Sequence, residues 1–365
     1  MKQADYKRIA IKIGSNVLAR QDNTLDVTRM SSLVDQVAAL HKRGVEVIMI
    51  TSGAVASGRS ELKDIVTKSL DSVSARQLYS AVGQAKLINR YYELFREHGI
   101  ACGQILTTKE NFATRQHYLN QKHCMEVMLE NGVIPIVNEN DTISVTELMF
   151  TDNDELSGLI ASMMDTDALV ILSNIDGVYD GNPEESTSKV ILDIKPEHKI
   201  DSSTFIQSAK SSCGRGGMGT KYRISQKVAD EGIAVVIANG KRDNILLDIT
   251  SRKRTVAFTL FHANSHPTSS VKKWIAHSEG FAKGEIHINK GAYDALVSNQ
   301  ATSLLSVGVT RIDGEFEKDD IVRIISPDGE AFAVGRIAFD SNKANAMIGT
   351  QGSKPLIHYN YLYID

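Results

Sequence analysis

Two lysines far apart in the chain stand where chemistry could be done. Lys12 lies near the end of the apolar run Ile9-Ala10-Ile11-Lys12-Ile13 and is followed by Gly14-Ser15-Asn16. An unpaired ammonium among apolar side chains is costly. Lys12 therefore either meets an anion, such as phosphate oxygens, or sits on an edge strand and reaches water. Gly14 would let the backbone approach a ligand closely. Lys221 closes the segment Gly214-Arg215-Gly216-Gly217-Met218-Gly219-Thr220-Lys221. This segment matches GxGxxG, but Ser211-Ser212-Cys213 precede it where a dinucleotide fold needs a strand, and Asn239 stands near the position that needs an acid. The dinucleotide reading is rejected. A glycine loop ending in a lysine at a helix start suits nucleotide phosphates, and equally suits an ordinary surface loop.

Three further polar segments are candidates. Thr51-Ser52-Gly53-Ala54-Val55-Ala56-Ser57-Gly58 either offers backbone N–H groups and a hydroxyl to an anion or makes a tight turn packed on a neighbouring helix. Asn138-Glu139-Asn140-Asp141 can hold an ammonium or a hydroxyl, or be a solvated loop. Asp152-Asn153-Asp154, after Thr151, supplies more polar residues than one helix cap requires. The sharper reading is a helix N-terminus aimed at a ligand, with a carboxylate that orients lysines. Other chemistries find no support: there is no Gly-Lys-Ser/Thr triplet, no HExxH, no GxSxG, and no spaced metal set among the ten histidines. No metal ligand is assigned.

Several of these segments follow stretches that read as strands. Ile9–Ile13, Val45–Ile50, Ile100–Leu106, Val133–Val137, Ala168–Leu172 and Ile233–Ala238 are apolar runs. Helical spacing separates them: Met30, Leu33, Val34, Val37 and Leu40; about 74–98; about 115–131; Leu156 to Met164; and 224–231. Alternating strands and helices with near-continuous apolar strands predict an α/β fold, a mostly parallel sheet sandwiched by helices. Ligands of such sheets bind beyond the carboxyl ends of the strands, where the segments after Ile13, Ile50 and Val137 fall. After about residue 250 the pattern changes. Residues 251–270 are rich in Ser, His, Asn and Thr and read as a linker. Ile321–Ile325 and Phe332–Phe339 read as strands, punctuated by Asp313-Gly314 and Pro327-Asp328-Gly329. A second, smaller β-rich barrel or sandwich is expected there.

The chain has 365 residues, 42% of them hydrophobic and 23% charged, which is enough for two packed domains and excludes a disordered protein. A net charge of −3 supplies no field toward nucleic acid or anionic lipid, and residues 251–365 carry 13 Lys+Arg against 12 Asp+Glu. Nucleic acid and membrane are not expected partners; no apolar run approaches the ~20 residues of a membrane helix. Three cysteines without CxxC spacing, and a polar start without a leader pattern, lead us to expect a reduced cytoplasm.

Taken in order, Ile11-Lys12-Ile13-Gly14-Ser15, Thr51-Ser52-Gly53-Ala54-Val55, Asn138-Glu139-Asn140-Asp141, Asp152-Asn153-Asp154, Asn174-Ile175-Asp176-Gly177-Val178-Tyr179 and Gly214–Lys221 resemble the amino-acid kinase superfamily. Within it the likeness is to the branch that phosphorylates glutamate. The tail from Trp274 resembles a PUA domain. The resemblance implies an amino-acid kinase catalytic domain over 1–255, a linker over 256–273 and a PUA-like barrel over 274–365. It implies transfer of phosphate from ATP to the side-chain carboxylate of L-glutamate, the first step of proline synthesis. Aspartate or acetylglutamate kinase activity, or a non-catalytic RNA-binding role, are the rival readings. The resemblance further implies that Lys12 and Lys221 neutralise the transferred phosphoryl group and that Asp154 orients them. It implies that Ser52, Asp141 and Asn153 bind glutamate. Lys12, Gly14, Ser173, Asn174, Arg215, Gly216, Gly217, Met218, Gly219, Thr220 and Lys221 would line the ATP site, with Mg²⁺ bridging the phosphates. A homo-oligomer (dimer or tetramer) and feedback inhibition by proline are also implied. The chain departs from many relatives at Met149-Phe150-Thr151, where a lysine is common, at Ser173-Asn174 and at Arg215.

Overall fold

A computed structural model of the chain describes residues 6–20, 22, 24–66, 69–144, 150, 152–197, 217–251, 255–265, 270–298, 302–350 and 354–364. It divides into two compact units, Met1–Lys109 with Asn120–Pro267, and Glu110–Leu119 with Thr268–Asp365. In chain order the first unit holds β1 (Arg8–Ile13), α1 (Ser15–Leu18), α2 (Val27–Lys42), β2 (Glu46–Ile50), α3 (Ala54–Glu61), α4 (Ser72–Glu97) and β3 (Cys102–Thr107). The short helix α5 (Glu110–Ala113) and the start of α6 (Arg115–Glu130) group with the second unit. The first unit then continues with β4 (Ile134–Glu139), α7 (Asn153–Met163), β5 (Ala168–Ser173), β6 (Asp193–Ile194), α8 (Met218–Asp230), β7 (Ala234–Asn239), α9 (Ile245–Thr250) and β8 (Thr259–Phe261).

Its sheet runs β3-β4-β2-β1-β5-β7-β8-β6, parallel throughout except for the β7–β8 pair. The near-continuous apolar strands end up covered on both faces, as expected: every residue of β4 and β5 is buried. Side chains alternate along a strand. Ile9, Ile11, Ile13, Val47, Met49, Val170 and Leu172 face one core, filled by α2, α4 and α9 through Leu33, Val37, Tyr91, Phe95 and Ile249. The alternate residues face α7 and α8. Lys12 belongs to this second set. Helix α2 shows how the pattern works locally: Met30, Leu33, Val34, Val37 and Leu40 are buried along one stripe, and Asp26 caps the start by accepting from the Arg29 N–H. Because the strands are parallel, the segments after β1, β2, β4 and β5 all open at one end of the sheet.

Two short strands escaped the sequence pattern. β6 has two residues, and β8 has three and lies inside the stretch expected as a linker. Elements this short carry no period to read. Helix α8 begins at Met218, six residues before the periodic stretch that announced it, because its first turn, Met218-Gly219-Thr220-Lys221, has the composition of a loop.

The second unit holds α10 (Ser270–Ala276), β9 (Gly284–Ile288), α11 (Lys290–Val297), β10 (Val309–Asp313), β11 (Ile321–Ile325), β12 (Ala331–Arg336), α12 (Ser341–Ala346) and β13 (Leu362–Ile364). The sheet order is β10-β9-β11-β12-β13, with β9 and β11 parallel and the other pairs antiparallel. It has a core of its own, built around Ile286, Val322, Ile324, Ile337, Leu356 and Ile357. The Glu110–Leu119 segment joins this unit through Trp274, whose indole Nε1–H donates to the Phe112 carbonyl at 3.0 Å and whose ring meets Tyr118 edge-on. Among the described residues, no helix is long and apolar enough to cross a membrane.

Candidate active site

The strand ends of the first unit surround a cleft of about 500 Å³. Lys12 reaches it from β1, which lies between β2 and β5, so the edge-strand alternative does not hold. Its side chain is 7% exposed. Helix α7 starts opposite, capped by Asp152, whose Oδ1 accepts from the N–H groups of Asp154 and Glu155 at 2.9 and 3.0 Å. The cap aims Asp154 into the sheet, where its carboxylate is buried. Lys12 Nζ meets Asp154 Oδ1 at 2.6 Å, and Lys221 Nζ, from the first turn of α8, meets Asp154 Oδ2 at 3.0 Å. Two ammonium groups separated by most of the chain thus converge on one carboxylate. Burial alone would raise the Asp154 pKa, but the Lys12 and Lys221 charges outweigh it and hold the carboxyl below its ordinary value. Asp152 moves the other way, raised by burial and by the neighbouring Asp154 charge.

At the other end of the cleft Asn153 ties the ends of β2 and β4 together. Its Nδ2 donates to the Thr51 carbonyl at 2.8 Å, to Ser52 Oγ at 2.9 Å and to Asn138 Oδ1 at 3.3 Å. Ser52 is followed by Gly53 at φ 105°, a left-handed conformation that lets the chain turn from β2 into α3. The packed-turn reading of the 51–58 segment holds, with Gly58 packing α3 against α4, and Ser52-Gly53 also lines the cleft.

Sequence reasoning missed Arg76, on α4. Its Nε donates to Asp141 Oδ1 at 2.6 Å and its Nη2 to Glu139 Oε2 at 2.9 Å. Burial, with the nearby Asp141 charge, raises the Glu139 pKa. An arginine among polar helix residues carries no sequence signal, because its partners lie 63 and 65 residues away. Arg76→Met would leave two buried carboxylates facing each other, and is expected to cost about 3–5 kcal/mol. The Glu139 pKa would rise further in the folded protein, so stability is present at low pH and is lost as pH rises through that value. Thermal melts should therefore show a larger deficit at pH 8 than at pH 5.

On the opposite flank Gly14, Ser173 and Asn174 line the cleft, with the Gly14 N–H donating to the Leu172 carbonyl at 3.1 Å. Gly217 is the N-cap of α8, and Met218, Gly219 and Thr220 form the turn that delivers Lys221 to the cleft. Arg215 and Gly216 lie outside the described residues, as do Met149 and Thr151. Beside this flank Asp176 is clamped by Arg242, Nε at 2.8 Å and Nη2 at 2.6 Å, and by Asn239 Nδ2 at 3.0 Å.

The Amino acid kinase family model matches residues 7–239, and the PUA domain model matches 284–358. A protein of Bacteroides thetaiotaomicron named Glutamate 5-kinase is 67% identical over 365 residues, covering 100% of both chains. A second of that name, from Chlorobaculum tepidum, is 48% identical over 360 residues, covering 98% of each. Among solved structures, UMP kinase from Bacillus anthracis shares the fold, with a TM-score of 0.50 and 15% identity over 72% of this chain and 98% of that one. With 233 of its residues inside the family model and relatives matching along its whole length, the chain belongs to the amino acid kinase family and carries a PUA domain later in its sequence.

Proposed function

We propose that the chain is an ATP-dependent kinase of the L-glutamate side-chain carboxylate, making L-glutamyl 5-phosphate. The observation that carries this reading is the meeting of Lys12 and Lys221 on Asp154. Phosphoryl transfer asks the protein for positioning and for positive charge around the equatorial oxygens, with little covalent help. A glutamate side-chain oxygen attacks the γ-phosphorus of ATP in line. The new O–P bond forms as the bond to the β,γ-bridging oxygen breaks, and ADP leaves with that electron pair. The acceptor carboxylate is ionised at neutral pH, so no general base is needed. This accounts for a site without histidine or cysteine among its described residues.

In this reading Lys12 and Lys221 neutralise the transferred group and Asp154 positions both. Ser52, Asp141 and Asn153 bind glutamate. Ser52 Oγ accepts from Asn153, which leaves its own proton to donate. Arg76 occupies Asp141 Oδ1, which leaves Oδ2 for the substrate ammonium. Gly14, Ser173, Asn174 and the segment from Arg215 through Gly216, Gly217, Met218, Gly219 and Thr220 to Lys221 are assigned to nucleotide binding. Asp152 Oδ2 is buried and lacks a hydrogen-bond partner among the described residues, so it fits a divalent cation carried by the phosphates. Mg²⁺ there would neutralise phosphate charge. Catalytic and PUA domains over 1–255 and 274–365, the homo-oligomer, inhibition by proline and the place in proline synthesis belong to the same proposal.

The test is purified protein with glutamate, ATP and Mg²⁺. ADP and a hydroxamate-trappable acyl phosphate are expected, and EDTA should abolish both. ADP formed with aspartate or acetylglutamate and not with glutamate would overturn the assignment.

A further inference from the structure

Among the described residues four cationic side chains line the cleft, and three of them are already matched. Lys12 and Lys221 share Asp154, and Arg76 holds Asp141 and Glu139. The fourth is Arg59, near the end of α3. Its guanidinium stands over the Tyr79 ring, 5.5 Å from the centroid, and no carboxylate or other acceptor among the described residues meets it. Helix side chains lean toward the helix N-terminus, so Arg59 leans over the turn carrying Val55 and Ala56, both of which line the cleft. Tyr79 lies one turn beyond Arg76 on α4, which places the unmatched guanidinium beside the matched one.

The proposed acceptor carries three charges. Its side-chain carboxylate lies toward the two lysines, and its ammonium has Asp141. Its α-carboxylate needs a cation. We propose that Arg59 is the receptor for that α-carboxylate, a specificity residue that selects free α-amino acids and rejects glutamate whose α-carboxyl is in an amide or peptide bond. The inference rests on the kinase reading above. A planar guanidinium offers parallel N–H groups to a carboxylate, and stacking on Tyr79 leaves its edge free to make that bidentate contact. An amide in the same place presents a carbonyl and an uncharged NH₂, and forfeits the charge-assisted bonds.

The experiment compares L-glutamate with its α-amide as acceptor in the wild-type chain, Arg59→Met and Arg59→Lys, scoring acyl phosphate by hydroxamate. The wild type is expected to prefer glutamate by about 10- to 100-fold in kcat/KM, the scale of losing hydrogen bonds to a charged group. Arg59→Met should lose that factor on glutamate through KM, with the KM for ATP and the rate on the α-amide unchanged. Its preference therefore falls to within a few-fold of unity. Arg59→Lys keeps the charge without the fork and should fall between. A wild type that uses both acceptors equally, or an Arg59→Met chain with the preference intact, overturns the inference while leaving the kinase reading standing. A wild type that makes no acyl phosphate from glutamate overturns both.

Discussion

Asp154→Asn is expected to lower kcat by about 10²- to 10³-fold, the scale of removing one preorganised charged group from a reaction centre. The isosteric amide keeps the packing at the start of α7 but withdraws the negative charge between Lys12 and Lys221, 2.6 and 3.0 Å from their ammonium nitrogens. The two lysines then lose the carboxylate between them, in a site where Asp154 is 1% exposed. Their repulsion draws them off the line of transfer, and the loss falls on kcat more than on the KM for glutamate. Lys12→Met and Lys221→Met should each cost about 10²-fold by removing one of the two charges directly. The double variant should lose less than the product of the two, because residues that act as a unit are not additive. Asp154 also links the site to acid stability. Its folded-state pKa is depressed, so its contribution is present above the unfolded carboxyl value of ~3.9 and is lost as pH falls through the folded one. Acid melts of Asp154→Asn should lack that step. A variant with wild-type kcat would detach the lysine pair from the chemistry.

The strands that bear the site could be read from sequence because the sheet buries them on both faces, and a buried parallel strand writes itself as an unbroken apolar run. Val133–Val137 and Ala168–Leu172, the runs that become β4 and β5, are of this kind. The polar residues after such runs could be picked out as well, since the carboxyl ends of parallel strands share one edge. Sequence could not tell whether Lys12 lay on a central or an edge strand. That depends on strand order, which pairs β1 with a neighbour some 160 residues later: Ile9 stands opposite Ala168. That a carboxylate of 152–154 orients lysines could be read from the residues, but that it is Asp154 acting on Lys12 and Lys221 was available only through resemblance to a family. Arg59 and Arg76 sit on helices as ordinary polar residues, and only the α3–α4 crossing and the return of the chain at Glu139 and Asp141 give them a role. In the second unit the turns at Asp313-Gly314 and 327–329 were legible, with Gly314 and Gly329 at φ 91° and 87°. The six- to eight-residue helices α10, α11 and α12 were not, being too short to show a period.

The crossing of α3 and α4 carries a second large stability effect. A Cβ on Gly83 would lie 1.8 Å from the Ala54 carbonyl oxygen and 2.4 Å from the Gly58 nitrogen, and a Cβ on Gly58 would lie 1.8 Å from the Tyr79 carbonyl oxygen. These are backbone atoms of the facing helix, which cannot swing aside as a side chain would. Alanine is ordinarily favoured over glycine inside a helix by ~1 kcal/mol, so the sign of Gly83→Ala is decided by whether the steric cost exceeds that gain. Contacts this short force the helices apart, and overpacking of a fixed interior costs about 3 kcal/mol or more at the upper end of its range. For a unit of this size that is a fall in Tm of about 6–12 °C. The displacement also reaches the cleft, since α3 opens at Ser52-Gly53 and α4 carries Arg76, so the KM for glutamate should rise more than the KM for ATP. Gly103→Ala is the contrast. Its Cβ would meet the terminal Cε of Met128 at 2.6 Å, the flexible end of a side chain that can turn away, and the cost should stay below ~1 kcal/mol. If Gly83→Ala melts with the wild type while Gly103→Ala does not, the two helices do not approach as closely as their paired glycines require, and Arg59 and Arg76 lose the scaffold that sets them side by side.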